Sequence, residues 1–261
     1  MPESISGRSI RRHVLEQSKR ANVGHIGSAL SVADILAALY GRVLTGGPDD
    51  PDRDRFVMSK GHAALALYAA LHLAGHMSRD NLESYCGEGT HLGVHPHHGL
   101  RGVDFSTGSL GQGLSMAAGA ALGAHIQGSQ RRVYVLLSDA ECDEGSVWEA
   151  AMFAGHHRLD NLVAIVDANG QQALGYTRDV ISLEPLEERW RAFGWDVHVV
   201  DGNDETAIAS AIDGLAAGRP HVLIARTTFG KGVSFMESQI PWHYLQMNEE
   251  QYALALHELG D

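Results

Sequence analysis

Cysteine is nearly absent from this sequence: Cys86 and Cys142 are its only two in 261 residues. Two thiols provide no disulfide framework, and a reducing cytoplasm is the expected compartment. Basic residues are also in short supply, 20 Lys and Arg against 32 Asp and Glu, for a formal net charge of -12. That deficit argues against nucleic acid or an anionic membrane as partner. No uninterrupted apolar run reaches membrane-spanning length, and the amino-terminal segment lacks the apolar core of a signal peptide. Internal repeats, low-complexity linkers and a break between domains are likewise missing. The remainder, 44% hydrophobic and 20% charged, is ordinary for a soluble globular protein. The length suits one large α/β domain over residues 1–261, ending in a C-terminal extension.

Hydrophobic periodicity predicts the order of elements. Gly7–Ala21 reads as a basic amphipathic helix with Ile10, Val14, Leu15 and Ser18 near one face. Ser31 is expected to cap a second helix, VADILAALYGRVL, with Asp34 completing a capping-box-like start. RFVMS is a strand candidate, followed by the helix HAALALYAALHLAG, which Gly75 would close. Residues 86–109, rich in Gly and His, read as a long loop of the kind that is usually functional or mobile. Leu110–Ile126 reads as a small-residue helix suited to close packing.

Two apolar runs, Arg132–Leu137 and Leu162–Val166, flank the helical pattern DEGSVWEAAMFAGHHRLD, whose Trp148, Met152 and Phe153 are expected in the core. A helix over 183–193 with Pro185 near its start, the strand WDVHVV, the helix ETAIASAIDGLAAG, the strand HVLIART and a final helix NEEQYALALHEL complete the order. The fold class is therefore α/β: a doubly wound, mainly parallel five-stranded sheet with helices on both faces.

The strand–helix–strand unit at the centre is the most informative part. Such a crossover is right-handed by strong preference and makes its strands parallel. Asp139 and Asn169 then both sit just beyond carboxyl ends of strands, where open α/β sheets bind ligands. An Asp ahead of a helix is also a common cap. A carboxylate and an amide oxygen converging there are hard ligands, suited to Mg²⁺ or Ca²⁺. A divalent cation would also let an acidic chain hold an anionic ligand, with helix N-termini adding donors.

Ser138-Asp139-Ala140, closed by Ala168-Asn169-Gly170, resembles the diphosphate-binding motif of thiamine diphosphate enzymes, usually Gly-Asp-Gly and later Asn-Asn or Asp-Asn. Its surroundings resemble the transketolase family, in the form whose first subunit carries only the amino-terminal part. The resemblance implies the thiamine diphosphate-binding fold, with Asp139 and Asn169 holding Mg²⁺ (or Ca²⁺) by side-chain oxygens and the backbone carbonyl of Gln171 as third protein ligand. Diphosphate oxygens and water would complete the octahedron. Ser138 and Ala140 stand where the family has glycines, which permit positive φ and close approach to phosphate. Alanine suffices where φ is negative, and serine can donate a hydrogen bond.

Four histidines fall where the transketolase pattern has one: His25 in GHIGS, His62 in SKGH, His95 in HPHHG ahead of STGSLGQG, and His243 in PWHY after GKGVS. By resemblance, His25 and His243 contact substrate oxygens, His243 also the cofactor, His95 the two-carbon donor's hydroxyl, and His62 the cofactor's phosphate side. His97 and His98 adjoin His95 and are alternatives to it. A sugar's hydroxyls call for such neutral donor–acceptor groups and for a proton shuttle near neutral pH. Gly108 and Leu110 would meet the cofactor through their backbone, and Ala140 and Glu144 are further cofactor-binding positions. Glu144 and Glu149 also complement a helix dipole and match family positions near a dimer interface.

The resemblance implies the diphosphate- and cation-binding subunit of a two-component transketolase-type enzyme, a transferase moving a two-carbon ketol unit from a ketose to an aldose or other acceptor. The family's cofactor-activating glutamate lies in a second region. A separate C-terminal, pyrimidine-binding subunit is therefore expected as partner, in an α2β2 assembly, with a small sugar as substrate. The alternatives are specialised transfer to a carrier protein or unusual sugar, a regulatory subunit with a decayed site, and a 2-oxoacid dehydrogenase subunit. The histidine set and the GKGVSFME tail argue against the last.

Overall fold

The structure, a computed structural model, describes residues 3–260. Its strands in chain order are β1 Arg55–Met58, β2 Val133–Ser138, β3 Leu162–Ala168, β4 Gln171–Gln172, β5 Gly175–Tyr176, β6 Asp196–Asp201 and β7 His221–Arg226. Five of them make one sheet in the order β1-β2-β3-β7-β6, every neighbouring pair parallel. The central strands are almost unbroken apolar runs because both of their faces are covered. Tyr134, Leu136, Val163, Ile165 and Leu223 point into one core, while Val133, Val135, Leu137, Ala164, Val166, Val222 and Ile224 point into the other. Leu136 and Ile165 are fully buried, each contributing about 1.5–3 kcal/mol.

Helices Gly7–Ala21, Ala33–Ala38, Ala64–Leu73 and Glu205–Asp213 pack on the first core; Gly113–Gln127 and Gly145–His156 pack on the second. The expected doubly wound α/β sheet is what forms. The chain adds β1, β2 and β3 in one direction, then crosses to the far edge for β6 and returns at β7. That reversal beside β3 is a topological switch point, where the loops part and leave a crevice at the carboxyl ends. β4 and β5 form a small antiparallel ribbon just past β3, which the sequence pattern did not announce.

Several local expectations are corrected. Ser31 is the last residue of helix Ile26–Ser31 and caps nothing; buried, its hydroxyl donates to Asp167 Oδ1 at 2.7 Å. Asp34 instead pairs with the buried Arg11 guanidinium, Nη1 to Oδ1 at 2.9 Å. The small-residue helix starts at Gly113, not Leu110, because Gly108 (φ 148°) and Gly111 (φ 86°) adopt backbone angles outside the helical region. Helix Gly145–His156 buries Val147, Ala150, Ala151 and Ala154, a single helical stripe. Met152 and Phe153 fall outside it and are 57% and 39% exposed, so they are not core; Trp148 is half-buried. The predicted 183–193 helix is Leu186–Ala192, with Pro185 as its N-cap. No helix among the described residues is long and apolar enough to cross a membrane.

Candidate active site

The motif that follows β2 is built by a reciprocal cap. Ser138 Oγ accepts from Glu141 N at 3.1 Å, while Glu141 Oε2 accepts from Ser138 N at 3.3 Å. This bends residues Ala140–Asp143 into a short 3-10 turn. Both Ser138 and Ala140 keep negative φ, so glycine is not required at either position. Glu141 is fully buried and also accepts from Gly111 N at 2.8 Å and from the Ser59 hydroxyl. One carboxylate thereby ties the SDA turn, the SKGH segment and the STGSLGQG turn together. Burial pushes its pKa up, against the pull of these donors. Sequence reasoning missed Glu141, although the S-x-x-E spacing was there to be read.

Asp139 and Asn169 lie one residue beyond the ends of β2 and β3, which are adjacent strands. Asp139 is 5% exposed; its Oδ1 accepts from Ala140 N at 2.8 Å and its Oδ2 from Gly170 N at 2.7 Å. Burial, and then the nearby Asp167 charge, push its pKa up to about 7 despite those two bonds. Asn169 Oδ1 accepts from Gln171 N at 2.9 Å, and Gln171 itself is buried with its side-chain oxygen unpartnered.

Under this pair lies a second missed feature. Lys60 and Asp167 are both fully buried and form an ion pair, a charge pattern that an acidic residue inside the apolar run of β3 could have signalled.

A cavity of about 290 Å³ opens beside the pair, lined among others by His25, Lys60, His62, Gly108, Leu110, Ala140, Glu144, Asn169, Gln171 and His243. Asp139 borders an adjoining cavity of about 250 Å³ that shares Asn169. A third cavity, about 180 Å³ between Tyr40, Phe56 and Asp104, lies near the start of β1 at the other end of the sheet, away from all of these groups.

Three of the four predicted histidines converge on the first cavity. Ring centroids are 5.7 Å apart for His25 and His62, and 6.1 Å for His62 and His243. His62 Nε2 is 3.0 Å from Ser28 Oγ. His243 stacks on Phe229 with centroids 4.9 Å apart, and its carbonyl accepts from His25 N at 3.2 Å. His25 Nδ1 and His243 Nδ1 are buried without partners. Burial lowers the pKa of all three. For His25 the His95 charge adds to it, for His62 and His243 chiefly the Lys60 ammonium, and His243 falls to about 4. They are neutral imidazoles at pH 7, each able to donate and to accept.

His95 is exposed and does not line the cavity. Its ring packs behind the cavity wall at Gly108, where a Cβ would stand 3.1 Å from it. His97 and His98 stack on each other instead, with centroids at 4.7 Å, and His97 also on His91 at 5.0 Å. Of the three neighbours, His95 therefore stands next to the site. Glu144 is the exposed N-cap of helix Gly145–His156, and Glu149 is exposed further along it.

Among the described residues no three His, Cys, Asp or Glu side chains converge as a ready-made metal cage. The donor set is one carboxylate, one amide oxygen and the backbone after them. That set fits a cation held partly by phosphate oxygens, as Mg²⁺ commonly is. The raised pKa of Asp139 points the same way, since a carboxylate with burial uncompensated is what an arriving cation would relieve.

The sequence pattern of the family described as "Transketolase, thiamine diphosphate binding domain" matches residues 4–260. The chain is 43% identical over 256 residues to the 6-deoxy-6-sulfo-D-fructose transketolase subunit SqwG of Clostridium sp. (strain MSTE9), covering 96% of this chain and 93% of that one. It is 41% identical over 260 residues to an apulose-4-phosphate transketolase subunit of Actinobacillus succinogenes, covering 97% and 94%. Transketolase from Campylobacter jejuni superposes with a TM-score of 0.93 at 31% identity, over 98% of this chain but 42% of that one. The chain thus has the length of transketolase subunits and spans about two fifths of a full-length transketolase. With Asp139 and Asn169 at adjacent strand ends and neutral histidines facing them, it belongs to the transketolase family as its thiamine diphosphate-binding domain, which takes thiamine diphosphate with a divalent cation.

Proposed function

We propose that the chain is the diphosphate- and Mg²⁺-holding subunit of a two-component transketolase, working in the cytoplasm, and that it transfers a two-carbon ketol unit from a ketose to an aldose or a related acceptor. The single observation that carries this reading is the convergence of Asn169 and three neutral histidines on one crevice, with Asp139 on the adjoining cavity that shares Asn169. The whole chain acts as one domain, its stretch after β7 being the extension that brings His243 back to the cavity.

Bound thiamine diphosphate supplies the carbanion chemistry; the chain supplies orientation. Asp139, Asn169 and the Gln171 carbonyl would hold the cation that binds the diphosphate. His62 would lie on its phosphate side, and the Gly108–Leu110 backbone and Ala140 would shape the wall. His25 and His243 line the crevice and would meet substrate hydroxyls there, and their neutrality lets each accept a proton from one oxygen or donate one to another. His95, which lies behind Gly108, would meet the donor's hydroxyl.

A separate pyrimidine-binding subunit, in an α2β2 assembly, would cover the rim, where Leu110, Tyr244 and Leu245 are exposed. Relatives named as subunits of transketolases for a sulfo-sugar and for apulose 4-phosphate support an unusual sugar as substrate over a routine one. The negative φ at Ser138 and Ala140 weighs against a decayed site.

Calorimetry with thiamine diphosphate and Mg²⁺, on this chain alone and mixed with the proposed pyrimidine-binding subunit, tests the reading. Binding lost in Asp139→Ala, with ketol transfer only in the mixture, is expected. Transfer by this chain alone, or binding indifferent to Asp139, would overturn it.

A further inference from the structure

The Asp167 carboxylate is saturated. Its Oδ2 accepts from Lys60 Nζ and from Asn169 Nδ2 at 2.8 Å. Its Oδ1 accepts from Ser31 Oγ at 2.7 Å and from Thr227 Oγ1. A carboxylate has about four lone-pair sites, and four donors fill them. Asp167 and Lys60 are both fully buried, so water does not compete.

This matters for Asn169. An amide's oxygen and nitrogen are nearly interchangeable in shape, but only the oxygen can ligate a hard cation. Were the amide turned over, its oxygen would face an acceptor-only carboxylate and the 2.8 Å bond would become a repulsion. With Nδ2 held by Asp167, and Ser31 Oγ a further 3.5 Å neighbour of the same nitrogen, Oδ1 must point the other way, toward Gln171 N.

We propose that Asp167, anchored by Lys60, Ser31 and Thr227, is a positioning residue that fixes the Asn169 amide with its oxygen toward the cation. This rests on the cation reading above. It distinguishes position 167 from a merely structural ion pair, because the benefit of Asp167 disappears when position 169 no longer has two unlike ends.

The experiment measures Mn²⁺ affinity of the full chain with thiamine diphosphate, from the electron paramagnetic resonance of free Mn²⁺. D167N should weaken Mn²⁺ by about 10- to 100-fold, the usual cost of losing a group that orients a metal ligand. N169D should weaken it in the parent, where it sets two carboxylates against each other. In the D167N background the same change should recover most of the lost affinity, because a carboxylate presents oxygen whichever way it turns. The reversal of sign is the diagnostic result. Equal Mn²⁺ affinity in D167N and the parent, or an N169D effect that is the same in both backgrounds, overturns the proposal.

A measurement on the unmodified chain stands beside this, in case D167N does not fold. The Asn169 side-chain NH₂ resonances, assigned by their loss in N169D, should exchange with solvent far more slowly than those of exposed Asn81. Equal rates would refute the orientation. If the parent binds no Mn²⁺ but its Asn169 amide is protected, the cation reading fails while the orientation stands.

Discussion

Replacing Asp139 by Asn should change the cofactor-free chain in opposite directions at acid and alkaline pH. In the unfolded chain this carboxyl loses its proton near the ordinary value of 3.8, whereas burial and the Asp167 charge hold the proton on the folded one up to about pH 7. Folding therefore takes up a proton between those two pH values. The stability contributed by this carboxyl is greatest below pH 3.8, falls as pH rises, and levels off above about 7. The fall amounts to about 4 kcal/mol at one pKa unit per 1.36 kcal/mol. An amide carries no such dependence. It forfeits one of the two acceptor roles that Asp139 plays toward Ala140 N and Gly170 N, at a cost of about 1–3 kcal/mol.

Asp139→Asn should thus be the less stable protein near pH 4.5 and the more stable one near pH 8, by about 1–3 kcal/mol there once both effects are combined. In a chain of this size each kcal/mol moves Tm by about 2–4 °C. Paired urea or thermal unfolding across that range measures the difference directly, with other titrating groups common to both proteins. Adding thiamine diphosphate and Mg²⁺ at pH 8 should stabilise the parent and leave the variant unchanged. A variant less stable by one constant margin at every pH would mean that Asp139 is already ionised in the folded chain, with no buried proton for a cation to replace.

Restoring the family's glycines should not improve the site. Ser138→Gly breaks the cap with Glu141 and Ala140→Gly loosens a helical turn, each costing about 0.5–1 kcal/mol, with thiamine diphosphate affinity by calorimetry no better than the parent's. Tighter binding would show that the present backbone is strained after all. His243 should stay neutral through the physiological range. Its folded pKa of about 4 lies below the ordinary 6.5, so stability contributed by the neutral ring is lost as pH falls from 6.5 toward 4, and its imidazole Cε1–H resonance should be flat from pH 8 to about 5.5. A midpoint near 6.5 would contradict the burial argument.

Much of this site could be read from the chain. Asp139 and Asn169 are legible because two apolar runs of strand length bracket one helix, and a parallel crossover has little choice but to put both strand ends on one edge. His25, His62, His95 and His243 are legible only as an ordered set, since a lone histidine has no pattern of its own. Glu141 and Asp167 went unread for a physical reason. Each is a carboxylate whose partners come from distant segments, Ser59 and Gly111 for one, Lys60, Ser31 and Thr227 for the other. The local signals, an S-x-x-E spacing and an acidic residue within an apolar run, do not say which distant segments supply the partners. The same cause misplaced Ser31: its spacing to Asp34 suits a cap, but burial gave its hydroxyl to Asp167.

The sequence by itself determined the parallel five-stranded sheet and the placing of Asp139 and Asn169 at two of its strand ends, because run length and crossover handedness are local or nearly local rules. Tertiary structure alone decided which atoms of those side chains face the crevice and which histidines stand around it. The stretch 91–98 carries four histidines within eight residues, and only packing against Gly108 set His95 beside the site while His97 and His98 stacked on each other. Periodicity assigns a residue to a face. It takes a saturated carboxylate beneath Asn169, buried with its lysine, to turn an amide so that its oxygen points away from Asp167 and toward Gln171 N.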